Sequence, residues 1–278
     1  MPTAGTESTQ ANFALPKFLY QEEVLMNQVK LGIIGLGNMG SGHCNNILAG
    51  LTPEIKLTAA ADLRQSRRDW AKETLPDDVV LFENGDQLIE SGLCDAVIIA
   101  TPHYEHPRLA ILAFEHGLHV MSEKPAGVYT KQVREMNEAA IRSGKVFGMM
   151  FNQRTNCVYR KMHEMVQSGK YGQIKRVNWI ITDWYRTQAY YNSGGWRATW
   201  DGEGGGVLLN QCPHNLDLLQ WNKILLSPSR LIPLRSAQNP HNCWVFETIY
   251  HPSCVLLGRP LHSKSCIKIV VVCRRIFL

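Results

Sequence analysis

Apolar and polar positions alternate regularly between residues 29 and 150. Short apolar runs predict strands at 29–34, 55–62, 94–102, 119–125 and 145–151. Amphipathic stretches between them predict helices at 41–49, 64–74, 107–116 and 130–143. Strands that alternate with helices of this length are typical of a parallel sheet covered on both faces. The fold class predicted is therefore α/β, with a doubly wound parallel sheet.

The pattern changes after Phe151. A helix is predicted at 157–168 and a long aromatic strand at 174–185. These elements indicate the start of a second, α+β domain with an open and incomplete sheet. The predicted organisation is a poorly ordered extension (1–28, with Met26 as a plausible start), an α/β domain (29–150), the start of the second domain (151–222) and an atypical tail (223–278).

The tail differs from the rest of the chain in charge and pattern. Residues 223–278 contain eight basic residues and one acidic residue, whereas the preceding residues carry a net charge of −2. Their strand alternation is poor, so we expect a truncated or frame-shifted reading frame; a divergent tail that binds a partner is the alternative. Missing strands would expose a sheet edge. We therefore expect irregular structure at 223–278, impaired activity, and aggregation in place of oligomers.

Composition excludes several classes of protein. The chain has 278 residues, of which 45% are hydrophobic and 19% charged, a profile typical of a soluble globular protein. Its body is nearly neutral, so we predict no nucleic-acid partner. It has no signal peptide and no apolar run of about 20 residues, so we predict no membrane association. Eight cysteines without Cys-x-x-Cys spacing argue against zinc and favour a reducing, cytoplasmic location.

The sequence "GLGNMG" follows the first predicted strand and opens the first helix. Gly35 permits a tight turn, Gly37 lets the backbone approach a pyrophosphate, and Gly40 lets helix and strand pack closely. Asn38 and Met39 lie at the helix N-terminus, where free N–H groups attract phosphate. The alternative is a glycine-rich turn without a ligand.

Asp62 ends the second predicted strand, 22 residues after Gly40. A carboxylate there binds the ribose hydroxyls of NAD and repels the 2′-phosphate of NADP, so NAD is favoured and NADP remains possible. Arg64, Arg67 and Arg68 follow. They form a solvated helix face, or one of them holds a phosphate; Arg67 is the candidate cofactor contact.

Two further motifs carry polar residues. "SEKPAG" places Glu123 and Lys124 at the end of a predicted parallel strand, where ligands of open α/β sheets bind. "GGGVLLNQCPHNLDL" places Asn210, His214 and Asp217 four and three residues apart, which puts them on one face of a helix. A surface lysine and a packed histidine are the structural alternatives.

The motifs "GLGNMG", "ATPHYEH", "SEKPAG" and "GGGVLLNQCPHNLDL" occur in this order. Together they resemble the glucose–fructose oxidoreductase / inositol dehydrogenase (Gfo/Idh/MocA) family over residues 29–221. The resemblance implies a Rossmann domain, a mixed α/β domain that is often part of an oligomer interface, and oxidation or reduction of sugars, sugar acids or cyclitols with NAD(P).

The resemblance also implies residue roles. Lys124 would hold the substrate oxygen before a cis Pro125, and His214 would be the general base. Asn210 stands where many members carry aspartate; it can orient a hydroxyl or Lys124 but cannot act as a base. Cofactor contacts are implied at the strand ends and the loop after them, namely Thr101, Pro102, His106, Glu123 and Lys124.

Other candidates rest on residue type. Arg154 and Arg197 suit hydroxyl or carboxylate groups of a substrate, and Trp196 suits a sugar ring face. Asp217 is a further candidate for substrate binding. His103 and His106 could suggest a metal pair, but no carboxylate or thiolate cluster completes it, so no metal is predicted.

The predicted function is hydride transfer between a nicotinamide cofactor and a carbinol of a polyhydroxylated small molecule. Two alternatives remain: a cofactor-binding homologue without turnover, and a glycosidase that uses NAD transiently.

Overall fold

The computed structural model describes residues 28–172, 177, 179, 186–222, 232–234 and 245–247. These residues form two compact units. The first contains the described residues up to Thr101 together with Leu112–Met121 and Arg142–Val146. The second contains Pro102–Ile111, Ser122–Ile141 and the described residues from Phe147 onward.

A six-stranded sheet dominates the fold. Its strands are β1 (Val29–Ile34), β2 (Ile55–Ala61), β3 (Val80–Phe82), β4 (Ala96–Ile99), β5 (His119–Ser122) and β6 (Phe147–Met149). Their order is β3-β2-β1-β4-β5-β6, with β1 parallel to both β2 and β4 and β2 parallel to β3. This is the strand order of dinucleotide-binding α/β domains, so the predicted fold class is confirmed.

Helices connect these strands. They are α1 (Asn38–Leu48), α2 (Gln65–Thr74), α3 (Gly85–Glu90), α4 (Glu105–Glu115) and α5 (Thr130–Ser143). The strand β3 and the helix α3 were not predicted, because both are too short to show a clear period. The remaining boundaries agree with the sequence analysis to within a few residues.

The core of the first unit fills the space beside β1 and β2. Leu31, Ile33, Leu57 and Ala60 from the strands contact Leu36, Cys44 and Ala71 from the loop and helices. Burial raises the pKa of the Cys44 thiol to about 11, so this cysteine behaves as an apolar side chain. The four cysteines within the described residues are free: Cys44, Cys94, Cys157 and Cys212.

The second unit continues with short helices. After a 3₁₀ turn (Asn152–Thr155) come α6 (Cys157–Gln167), α7 (Gln188–Asn192), α8 (Trp200–Glu203), α9 (Val207–Asn210) and α10 (Pro213–Trp221). The predicted strand 174–185 lies outside the described residues except at 177 and 179. In the predicted tail the structure describes two short antiparallel strands, β7 (Ile232–Leu234) and β8 (Val245–Glu247).

The helix expected to carry both Asn210 and His214 is broken, so that prediction is wrong. Asn210 ends α9 and His214 lies in the first turn of α10. Pro213 has no N–H to continue the helix, and its ring would clash with a carbonyl one turn earlier. It is tolerated as the first residue of α10, where N–H groups lack helical partners.

None of the helices among the described residues is both long and apolar enough to cross a membrane.

Candidate active site

The glycine turn after β1 is required by packing at two positions. Gly35 has φ +93°, and a Cβ there would lie 2.7 Å from the carbonyl oxygen of Ala100. A Cβ at Gly40 would lie 1.8 Å from the carbonyl oxygen of Gly35. Among the described residues beyond its chain neighbours, the only atom within 4 Å of a Cβ at Gly37 belongs to the Arg64 guanidinium, at 3.9 Å. Gly37 thus leaves open space beside its backbone, which a ligand could approach closely.

Asp62 joins this turn to the end of β2. Its buried carboxylate accepts hydrogen bonds from the backbone N–H of Leu36 (2.7 Å) and of Arg64 (2.9 Å). The Arg64 side chain, which is more than half exposed, lies 3.3 Å from the same carboxylate. A second guanidinium nitrogen, Nη2, lies 3.5 Å from Oδ2, so the four donors use the roughly four acceptor positions of the carboxylate. A ribose diol would therefore take the place of the exposed Arg64 side chain.

The other predicted cofactor contacts take different places. Arg67 donates from Nε to the carbonyl of Leu36 at 2.6 Å and so braces the turn from outside. Asn38 and Met39 begin α1 and are exposed. Thr101 and Pro102 lie two and three residues after the end of β4. The turn, the helix terminus and Asp62 together fit a dinucleotide.

Lys124 lies just after β5, and its peptide bond to Pro125 is cis, as the resemblance implied. Its Nζ donates a hydrogen bond to the backbone carbonyl of Asn210 at 2.7 Å. Burial lowers the pKa of Lys124, and the positive charges of Arg197 and Arg186 act in the same direction. The carboxylates of Glu123 and Glu203 oppose this shift.

Asn210 uses its side chain elsewhere. Its amide donates a short hydrogen bond to the carboxylate of Glu203, and both residues are buried. Glu203 was missed by sequence reasoning because "TWDGEGGG" looks like a solvated polar loop. The following Gly204 has φ +73°, and a Cβ there would lie 2.5 Å from the side chain of Val128. In the sequence, the glycine directly after this acid is the signal that could have indicated close packing and therefore burial.

His214 faces the same group of charges. Its Nδ1 is enclosed and has no hydrogen-bond partner among the described residues, so a ligand can meet the ring only through Nε2. Burial lowers the pKa of His214, and the charge of Lys124 adds to the effect; Glu123 and Asp217 oppose it. The ring of Phe151 packs edge-on at 6.1 Å. His214 is therefore held as a neutral imidazole at neutral pH.

The histidines of "TPHYEH" support the surrounding backbone. Nδ1 of His103 lies 2.9 Å from the carbonyl of Glu203, and Nδ1 of His106 lies 2.7 Å from the carbonyl of Pro125. Burial lowers the pKa of His103 to about 4. No cluster of three or more potential metal ligands occurs within the part of the chain that the structure describes.

The predicted substrate residues pair with protein groups. Arg154 and Asp217 form a two-pronged ion pair, in which Nε of Arg154 lies 2.7 Å from Oδ2 of Asp217. The guanidinium of Arg197 lies over the Trp196 ring at 4.7 Å and donates to the Tyr190 hydroxyl at 2.6 Å. Trp196 also packs edge-on against His103 at 5.2 Å.

This arrangement provides complementary acid–base groups. Lys124 is a buried hydrogen-bond donor. His214 is a neutral acceptor whose pKa is lowered by the charge of Lys124. Such a pair can hold an oxygen atom and move its proton.

Family models identify the class of protein. The model described as "Oxidoreductase family, NAD-binding Rossmann fold" matches residues 29–151, and the "GFO/IDH/MocA C-terminal domain" matches residues 159–223. The chain therefore belongs to the Gfo/Idh/MocA family of oxidoreductases, and its cofactor domain is of the NAD-binding type.

Individual relatives are more distant. Inositol 2-dehydrogenase of Rubrobacter xylanophilus is 28% identical over 70% of this chain and 52% of its own length. A glycosyl hydrolase family 109 protein of a Shewanella species is 28% identical over 73% of this chain and 48% of its own length. The chain thus spans about half the length of these relatives.

A solved structure gives the same relationship. Scyllo-inositol dehydrogenase of Lactobacillus casei, crystallised with NAD(H) and scyllo-inositol, is similar with a TM-score of 0.62 and 28% identity. The similarity covers 70% of this chain and 56% of that one.

Proposed function

We propose that the protein is an NAD-dependent dehydrogenase that oxidises a carbinol of a sugar, sugar acid or cyclitol. The observation that carries this proposal is the buried Lys124, which precedes a cis Pro125 and bonds through Nζ to the carbonyl of Asn210, with His214 four residues further along, in a member of this oxidoreductase family. The substrate classes are supported by the relatives, two of which are named for inositols.

The cofactor would be held by this chain's own groups. The backbone at Gly37 and the first turn of α1 would bind the pyrophosphate, and Asp62 would bind the adenosine ribose. The carboxylate of Asp62 favours NAD, because it repels the 2′-phosphate of NADP. When bound, the nicotinamide supplies the hydride acceptor.

The protein side chains would handle the substrate oxygen. Lys124 donates a hydrogen bond to the hydroxyl oxygen, which favours the developing carbonyl. His214 accepts the hydroxyl proton at Nε2 as the hydride leaves the carbon that bears this hydroxyl. Because Nδ1 is enclosed, the proton can leave the ring only through Nε2 or after the site opens.

The glycosidase alternative is favoured by one observation, the similarity to a glycosyl hydrolase. Oxidation of a sugar hydroxyl by the same pair would then be transient, and the cofactor would return to its oxidised form. Lys124 and His214 could serve a dehydrogenase or a glycosidase, so the two functions must be distinguished by their products.

The test is a screen of the full chain with NAD against myo-inositol, scyllo-inositol, glucose, glucuronate and a panel of nitrophenyl glycosides. A dehydrogenase gives net absorbance of reduced nicotinamide, whereas a glycosidase releases nitrophenol without net reduction. NAD binding with neither product would support a homologue without turnover and contradict the proposal.

His214→Ala provides the mechanistic control. General-base catalysis contributes about 10²–10⁴-fold, so turnover should fall by roughly that factor. His116→Ala, which alters an exposed histidine directly after α4, should retain turnover. Equal effects of the two substitutions would remove His214 from the mechanism.

A further inference from the structure

Glu203 is a buried carboxylate fixed from two sides. It ends α8, and its side chain accepts the amide hydrogen bond of Asn210. Its backbone carbonyl lies 2.9 Å from Nδ1 of His103. Because burial keeps His103 neutral, with a pKa of about 4, that nitrogen can serve as a permanent donor near neutral pH.

Asn210 connects this carboxylate to Lys124. The same residue donates from its side chain to Glu203 and accepts the Lys124 ammonium on its backbone carbonyl at 2.7 Å. A displacement of the Asn210 side chain therefore affects the acceptor that fixes Nζ. Glu203 and Lys124 are thus both bonded to Asn210, the first through its side chain and the second through its backbone.

The charges in this chain are complementary. A buried carboxylate is costly unless it is hydrogen-bonded and compensated by a cation. Glu203 raises the pKa of Lys124 against the opposing effect of burial, with Glu123 acting in the same direction and Arg197 and Arg186 in the other. Lys124 in turn lowers the pKa of both His103 and His214.

We propose that Glu203 is the acidic positioning residue of this site, and that it acts through Asn210 to fix the ammonium of Lys124 toward the substrate oxygen. This inference rests on the proposed function. It assigns to Glu203 the negative charge that the amide of Asn210 cannot supply.

The test exchanges the carboxylate of Glu203 and the amide of Asn210. Glu203→Gln removes the charge, and Asn210→Asp places a second carboxylate against the first, where two negative charges in contact are unfavourable. Each single variant should lose about tenfold or more in kcat. The double variant, with amide and carboxylate exchanged, should recover to within about threefold of wild type, because contacting residues are energetically coupled.

Asp201→Asn is the matched control. Asp201 is an exposed acid on the same helix, and its neutralisation should leave kcat unchanged within about twofold. Thermal unfolding of every variant separates a loss of positioning from a loss of fold. If Glu203→Gln does not fold, Glu203→Asp keeps the charge and should retain the pH profile at reduced kcat.

A second readout does not depend on turnover. Acetic anhydride labels the neutral form of Lys124, and mass spectrometry gives its labelling rate as a function of pH. Loss of the Glu203 charge should move this profile to lower pH by about one unit, whereas Asp201→Asn should leave it in place.

The two readouts distinguish the two claims. A shifted labelling profile in a chain that turns over none of the polyols would refute the proposed function and support the role of Glu203. An unshifted profile, together with a double variant no better than Glu203→Gln, would overturn the role of Glu203 even in an active enzyme.

Discussion

Gly40 and Gly42 lie two residues apart on α1 but differ in the space around them. A Cβ at Gly40 would lie 1.8 Å from the carbonyl oxygen of Gly35, which belongs to the backbone of the cofactor turn. At Gly42 no atom of the described residues outside its own chain neighbours and helix backbone lies within 4 Å of the corresponding position. Replacing each by alanine therefore isolates the packing role of Gly40 within one helix.

The expected effects have opposite signs. Alanine in a helix is favoured over glycine by about 0.8–1.0 kcal/mol, so Gly42→Ala should stabilise the protein by up to that amount. Gly40→Ala gains the same preference, but overpacking typically costs about 1–3 kcal/mol and occasionally more. The backbone around Gly35 would have to move by over about 1 Å, so we expect a cost at the upper end of this energy range. The two variants should differ by about 2 kcal/mol or more.

Thermal unfolding and NAD titration measure the two consequences. A difference of 2 kcal/mol corresponds to roughly 4–8 °C in Tm for a chain of this size. Gly40→Ala should also weaken NAD binding by about tenfold or more, because the turn must move, whereas Gly42→Ala should leave it unchanged. Equal Tm values, or unchanged NAD affinity in Gly40→Ala, would refute the reasoning.

Three further predictions concern charged groups. Asp62→Asn should weaken NAD binding by roughly 10- to 100-fold, since hydrogen bonds to a charged group contribute about 1.5–3 kcal/mol. Calorimetry should show NADP binding unchanged or tighter, because the charge that repels its 2′-phosphate is removed; an equal loss of both would contradict the ribose assignment. Because the pKa of His214 is lowered, its imidazole stays neutral at pH values where an ordinary histidine would be protonated. The value of log(kcat/KM) should therefore stay level as pH falls through about 6.5 and decline only at lower pH. A decline that begins above pH of about 6.5 would contradict this. His103 gains a proton near pH 6.5 in the unfolded chain and only near pH 4 in the folded one, so folding stability falls by about 3 kcal/mol at most as pH drops across this window. In urea titrations at several pH values, His103→Gln should make stability depend less on pH in this window. An unchanged slope would show that other groups cause the loss.

Local sequence predicted the cofactor half of the fold well. Gly35 and Gly40 are required by contacts within a few residues or with the adjacent strand β4, and such contacts leave a motif. The cis peptide at Pro125 followed from the family resemblance. The break between α9 and α10 could have been foreseen, because Pro213 cannot continue a helix from Asn210.

Other site contacts leave no local motif. Glu203 is buried through contacts that include His103, 100 residues earlier in the chain. Asp217 pairs with Arg154 across 63 residues. The sequence shows each of these as an isolated charge, and only tertiary packing decides whether it faces solvent, a substrate or another side chain.

Hydride transfer is the central claim, and isotope transfer tests it most directly. The full chain would be incubated with NAD and myo-inositol deuterated at its ring carbons, and the reduced nicotinamide analysed by mass spectrometry. The account predicts NADH carrying one deuterium, formed by wild type and reduced by about 10²-fold or more in His214→Ala. Reduced cofactor without deuterium, or equal deuterium transfer by the two proteins, would contradict it.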